Sequence, residues 1–307
     1  MASKLLSFLE GLIRSQYVCY LVDKCVEENG RKLNLARFRI KTVPSTLASC
    51  TFLSKLSLDG NFFSSASIIG LQSLKFLRYL TLNDNELSQF PEELCQLKFV
   101  EFLNIGGNPI DRLPEAIGKL KNLITLWCND MLLKNLPETI GTLRKLKTFG
   151  ARNNQLTALP ESFGKLRRLK WLSLGNNCIS AVPETFEELV NLTHLNMAEN
   201  RFNELPAAIS LLKRLKFCSF AENCIENVTN NALEELSYIQ TLLLHGNPVM
   251  TDKLSTAKIN ETIFELDILN ENIQQDWNTS LPNSELNLLD TSDEEMVEDL
   301  YEFELSE

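Results

Sequence analysis

Two histidines, eight cysteines and 40 carboxylates are the residues through which this 307-residue chain could do metal, nucleophilic or acid–base chemistry. A zinc centre needs several His, Cys or carboxylate ligands, commonly in close sequence pairs. The cysteines stand singly at 19, 25, 50, 95, 128, 178, 218 and 224, and His194 and His245 cannot supply three imidazoles. No metal site is expected. A Cys–His nucleophile pair is conceivable, but Cys128 and Cys218 fall on inward strand positions and Cys178 and Cys224 on the equivalent position after Asn, and all four read as small core residues. No G-x-x-x-x-G-K-[ST] run and no G-x-G-x-x-G after a strand offers a phosphate cradle, so no cofactor is expected. The carboxylates include no pair set apart by an apolar environment. The residues argue against an enzyme.

A different set of side chains offers recognition. Tyr79, Phe102, Trp171, His194 and Phe217 recur at one position of a repeated pattern, and Trp127 sits two residues beyond that position in its own copy. Arg78, Lys147, Arg152, Lys170 and Lys216 stand near them, as do Asp59, Asp84, Glu101, Asp130, Glu199 and Glu222. Six large rings rimmed by mixed charge are what a protein-binding patch requires, because buried aromatic and arginine anchors carry most of an interface's affinity. The plainer reading is that the rings only stack on one another as sheet neighbours. Balanced charge among them argues against nucleic acid, whose phosphates demand a basic surface.

The elements that place these rings come from one repeat. The pattern L-x-x-L-x-L-x-x-N-x-L begins at Leu53, Leu77, Val100, Leu123, Leu146, Leu169, Leu192, Leu215 and Ile239, a mean period of about 23 residues. A worn tenth copy precedes them as Leu33, Leu35 and Ile40, with Phe38 where Asn would stand. The L-x-L core predicts a short strand that sends its leucines inward and the residue between them outward. Asn61, Asn85, Asn108, Asn154, Asn177, Asn200, Asn223 and Asn247 predict a buried ladder of side-chain amides that satisfies backbone groups at a turn. Pro44, Pro91, Pro114, Pro137, Pro160, Pro183 and Pro206 mark the outer half, a short helical or 3-10 segment with proline in its first turn. Such a unit cannot bury its apolar side alone, so the copies must stack into one continuous core. Local irregularity is expected where Cys128 and Met131 replace Leu and Asn, and in the first and eighth repeats, which lack the proline.

These residues resemble the leucine-rich repeat family, in particular the 23-residue class with L-P-x-x-I-x-x-L in its outer half, seen in 113–120 as LPEAIGKL. The resemblance implies an α/β solenoid: a horseshoe with a concave parallel β-sheet and convex short helices or 3-10 turns. It also implies a non-enzymatic protein-interaction scaffold or adaptor, similar in use to Ras-pathway scaffolds. Two alternatives stay open at this stage, a regulator or chaperone of basic proteins and a ubiquitin-ligase substrate receptor.

The domain reading is 1–29, an amphipathic capping helix; 30–250, the repeats; 251–277, a helical cap; and 278–307, an acidic, disordered tail. The cap helix is read from Leu5, Leu6, Phe8, Leu9, Leu12, Ile13, Tyr17, Leu21 and Val26 at helical spacing. Residues 251–307 hold 16 Asp and Glu against Lys253 and Lys258, whereas 1–250 hold 24 against 28 basic residues. The formal charge of -10 therefore belongs to the tail, where Ser292 precedes three acidic residues as a candidate phosphosite. No apolar run is long enough to span a membrane, and no cleavable leader, myristoylation or prenylation signal is read at the termini. Scattered single cysteines fit a reduced, intracellular and most simply cytoplasmic setting, with the nucleus open. The chain is expected to be a monomer that binds protein.

Overall fold

A computed structural model of the protein describes residues 2–68 and 70–250. The chain divides into two compact units, Met1–Lys253 and Leu254–Glu307, and the described residues lie in the first. The expected cap at 251–277, the tail at 278–307 and Ser292 lie outside the described residues.

Ten strands form a single parallel sheet in strict chain order. They are β1 (Lys32–Asn34), β2 (Lys55–Ser57), β3 (Tyr79–Thr81), β4 (Phe102–Asn104), β5 (Thr125–Trp127), β6 (Thr148–Gly150), β7 (Trp171–Ser173), β8 (His194–Asn196), β9 (Phe217–Ser219) and β10 (Thr241–Leu243). Each is three residues long because the pattern supplies only three positions between the entry turn and the Asn turn. The central residue always points inward. Leu56, Leu80, Leu103, Leu126, Phe149, Leu172, Leu195 and Cys218 are at most 1% exposed. Neighbouring rungs keep register without a slip, Leu80 opposite Leu103 and Leu103 opposite Leu126. A slip of one residue would turn every core leucine to solvent.

The residue before each ladder position adopts a left-handed conformation: Gly60, Asp84, Gly107, Asp130, Asn153, Asn176, Glu199, Glu222 and Gly246 all have φ between 53 and 71°. That geometry turns the chain out of the sheet and aims the next side chain into the core. The ladder asparagines are buried there. Asn85 is typical: its Nδ2 donates to the Leu82 and Leu58 carbonyls, each at 3.0 Å, and its Oδ1 accepts from Phe63 N–H at 3.1 Å. The amide thus bonds both its own rung and the preceding one.

The outer half is a 3-10 turn in most repeats, such as Glu115–Lys119. Proline does not enter its first turn as expected. Pro114 is the cap itself, extended at φ -73° and ψ 154°, and its carbonyl accepts from Ile117 N–H at 3.0 Å. The tighter 3-10 bond makes the residue before the turn the acceptor, and proline's fixed φ suits that extended position.

Of the three expected irregularities, two are present. In the first repeat the outer path is split into Ser65–Ile68 and Leu71–Ser73, with Gly70 at φ 108°. In the eighth it becomes a true α-helix, α2 (Asn230–Glu235), capped by Thr229 Oγ1 accepting from Ala232 N–H. At Met131 the rung stays regular: the Met side chain fills the core at 4% exposure, and Ile110 N–H bonds the Asn108 carbonyl at 2.8 Å instead of a ladder amide.

Helix α1 (Ala2–Glu27) precedes β1. Among its described side chains Val18, Val22 and Cys25 are buried, whereas Leu12, Ile13 and Tyr17, expected on the packed face, are 45, 66 and 50% exposed. The helix is apolar on more than one side, so spacing alone did not select the stripe.

Candidate functional site

The outward positions of the ten strands form two columns on the sheet's inner face. In the first, register places Lys55, Tyr79, Phe102, Thr125, Thr148, Trp171, His194, Phe217 and Thr241 side by side. In the second, Trp127 stands between Asn104 and Gly150, in a row whose other members from Thr81 to Ser219 are small or polar and which ends on Leu243.

The rings fall into two stacks. Tyr79 and Phe102 lie 5.6 Å apart at 20°, with the Lys55 ammonium 6.0 Å from the tyrosine centroid. Trp171 and His194 lie 4.0 Å apart at 15°, and Phe217 continues the stack 6.3 Å from His194. Thr125 and Thr148 separate the two stacks and form a low floor about three strand spacings, or ~14 Å, wide. Trp127 borders that floor. Its six-membered ring occupies the space a Cβ on Gly150 would need, which is why glycine ends β6. Tyr79, Phe102, Trp127, Trp171 and His194 are each partly exposed. Phe217 is not: it is 7% exposed and belongs to the core edge rather than to an accessible surface. Its place at the end of the ring stack covers one face, so a position read as outward by alternation is nonetheless closed.

The surrounding charges are polar partners for one another. Arg78 Nη1 meets Glu101 Oε1 at 3.1 Å across one rung, Arg78 being exposed. Arg152 and Lys170 are half-buried beside the Thr148–Trp171 step. On the far side of the columns Asp59 accepts from Ser57 Oγ at 2.7 Å, and burial raises its carboxyl above the usual range. Asp84, Asp130, Glu199 and Glu222, all exposed, share the left-handed turn position and make an acidic row along that edge. The sequence reading named these residues but missed the row's cause, although Gly and Asn in the same column carry the signal.

The chemistry available is recognition. Burial lowers the His194 imidazole to about 4, with the Lys216 charge adding to the effect, so it is neutral at physiological pH; Thr193 Oγ1 lies 2.9 Å from its Nδ1. His245 lies two rungs away on a turn. Cys128 and Cys218 are fully buried and burial raises both thiols, so neither presents a thiolate. Cys178 and Cys224, expected in the core, are instead half-buried and exposed, because the position after the ladder Asn faces out of the turn. Among the described residues no group of three or more His, Cys, Asp or Glu is placed to hold a metal ion. No described helix is long and apolar enough to cross a membrane.

Two family models match the sequence, a leucine-rich repeat region over residues 30–133 and a leucine rich repeat over 144–202. No curated protein matches it significantly. Solved structures do. A leucine-rich repeat protein of Leptospira interrogans is 25% identical with a TM-score of 0.59, covering 71% of this chain and 67% of its own. The plant peptide hormone receptor RGFR1, solved in complex with RGF2, is 28% identical with a TM-score of 0.59; the match covers 67% of this chain and 34% of the receptor chain. An internalin of Listeria monocytogenes shares the fold at 22% identity and a TM-score of 0.55, over 72% of this chain and 76% of its own.

Proposed function

We propose that this leucine-rich-repeat solenoid is a non-enzymatic adaptor that holds a protein partner against the concave sheet. The observation that carries the reading is the threonine floor. Thr125 and Thr148 leave a low step between two ring stacks, and Trp127 stands over its margin. A sheet that needed its rings only for mutual stacking would have no use for a tryptophan parked on the backbone of Gly150. One apolar or aromatic side chain of a partner fits the floor, flanked by Phe102 and Trp171, and buried aromatic anchors of this kind commonly contribute 2 kcal/mol or more. Arg78, Arg152 and Lys170, with the acidic row opposite, supply a charged rim that orients the partner.

The plant receptor among the similar structures is held with a second component, which supports the same use for the fold. The adaptor is assigned to the cytoplasm on the single-cysteine pattern and to signalling on the resemblance of its repeats to Ras-pathway scaffolds, and is taken as a monomer. The resemblance to Ras-pathway scaffolds is a proposal of the same rank.

The test is quantitative capture with the full chain against Trp127→Ala. The variant is expected to keep its circular dichroism and to lose its specific partner at least ten-fold. Equal recovery of every specific partner by both proteins would remove the concave face from the account.

A further inference from the structure

The first eight full repeats each enter their strand through a two-residue turn, and these turns lie in one row along a single flank of the solenoid. The eight are 51–52, 75–76, 98–99, 121–122, 144–145, 167–168, 190–191 and 213–214. None of the sixteen residues is acidic and nine are Lys or Arg. Lys98, Lys121, Arg144, Arg168, Lys213 and Arg214 are all exposed. At the N-terminal end of the row the second turn position is instead Phe52, Phe76 and Phe99, which are 55, 59 and 51% exposed. Val190, 51% exposed, lies toward the other end. With rungs about 4.8 Å apart the row is roughly 35 Å long.

This pattern is not a by-product of the repeat. The core leucines fix the turns in space, but any polar residue satisfies an exposed turn. Among the acidic residues of the same rungs, Asp84, Asp130, Glu199 and Glu222 sit at the opposite ends of the strands, whereas Glu188 reaches into the flank and pairs with Arg167 at 2.7 Å. A strand of three residues with its turns separates the two edges by more than ~10 Å, about one Debye length in physiological salt, so the acidic row does not cancel the basic one.

We infer that this flank docks on an anionic lipid bilayer. Clustered Lys and Arg are drawn to acidic headgroups, and exposed aromatic side chains beside them bury in the interfacial layer. The phenylalanines decide against a single-stranded nucleic acid. Phe76 and Phe99 are stacked on each other at 6.3 Å and 17°, so one face of each is already taken and is closed to a base, while both rings stay more than half exposed. A lipid interface needs only exposed apolar surface, not a free ring face. The inference is independent of the concave reading, since the flank and the inner face share no ring.

Sedimentation of the full chain with vesicles tests it, comparing phosphatidylcholine alone with phosphatidylcholine containing about a third phosphatidylserine. Binding is expected only to the acidic vesicles and to weaken as salt rises. Replacing Lys98→Gln, Lys121→Gln and Arg168→Gln together should lower the partition coefficient about five-fold per residue, roughly 100-fold in all. Phe76→Ser with Phe99→Ser should weaken binding while leaving its salt dependence in place, and Trp127→Ala should bind like the wild type. Failure of the intact chain to sediment with acidic vesicles at low salt would overturn the inference. So would sedimentation of the triple variant equal to wild type, or loss of vesicle binding in the Trp127 variant.

Discussion

Replacing Asn177 by alanine removes four hydrogen bonds from the middle of the ladder. Its Nδ2 donates to the Ala151 and Leu174 carbonyls at 3.0 Å and to Gly175 at 3.3 Å, and its Oδ1 accepts from Leu156 N–H at 2.9 Å. The neighbouring rungs limit the damage. Ala151 O keeps the Asn154 amide at 3.0 Å and Leu174 O keeps that of Asn200 at 2.9 Å, so neither carbonyl is orphaned. The Leu156 N–H is the exposed debtor, and an unsatisfied buried donor costs about 1–3 kcal/mol. Met131 shows the available relief, because the equivalent Ile110 N–H turns to the Asn108 carbonyl at 2.8 Å. The expected loss for Asn177→Ala is therefore about 2 kcal/mol rather than the sum of four bonds, and about 1 kcal/mol for Asn177→Met, which also fills the space. Guanidinium unfolding followed by circular dichroism reads the loss, and hydrogen exchange should show the Leu156 amide opening first. A loss below about 0.5 kcal/mol with an unchanged Leu156 exchange rate would refute the ladder as a stabilising element.

Two further outcomes follow from the inner face. Gly150→Ala has ordinary backbone geometry but sets a methyl group where the Trp127 ring lies; the ring should swing off the sheet, with a red-shifted tryptophan emission and weakened partner capture in a folded protein. His194 is held at about 4, below its unfolded value, so the native state takes up its proton later than the unfolded chain and stability falls as pH drops from about 6.5 to 4. Because the ring is partly exposed, the effect should be at most about 1–2 kcal/mol, and His194→Phe, which preserves the stack, should flatten that part of a pH-dependent unfolding series.

The strand positions were legible because alternation in a fixed period leaves no freedom: once Leu80 and Leu103 are both inward, Tyr79 and Phe102 must be neighbours. The Asn turn was legible for the same reason. What period alone could not show was depth at the ends of the array. Phe217 closes because a ring stack covers it, and among the described side chains of α1 Val18 and Val22 are buried while Leu12 and Ile13 are exposed. The floor at Thr125 and Thr148 was also hidden. It depends on where small residues fall between large ones, and its marker, Gly150 beneath Trp127, is visible only across two strands. The proline position was misjudged because an α-helical first turn and a 3-10 cap differ by one residue.

The most direct test of the concave-face account is site-specific photo-crosslinking in cells with a photoreactive phenylalanine at Thr148, on the floor, and at Glu161, exposed on the outer turn. The account predicts a discrete protein adduct from position 148 that disappears with Trp127→Ala, and none of that mass from position 161. Identical adducts from both positions, or an adduct at 148 indifferent to Trp127, would contradict it.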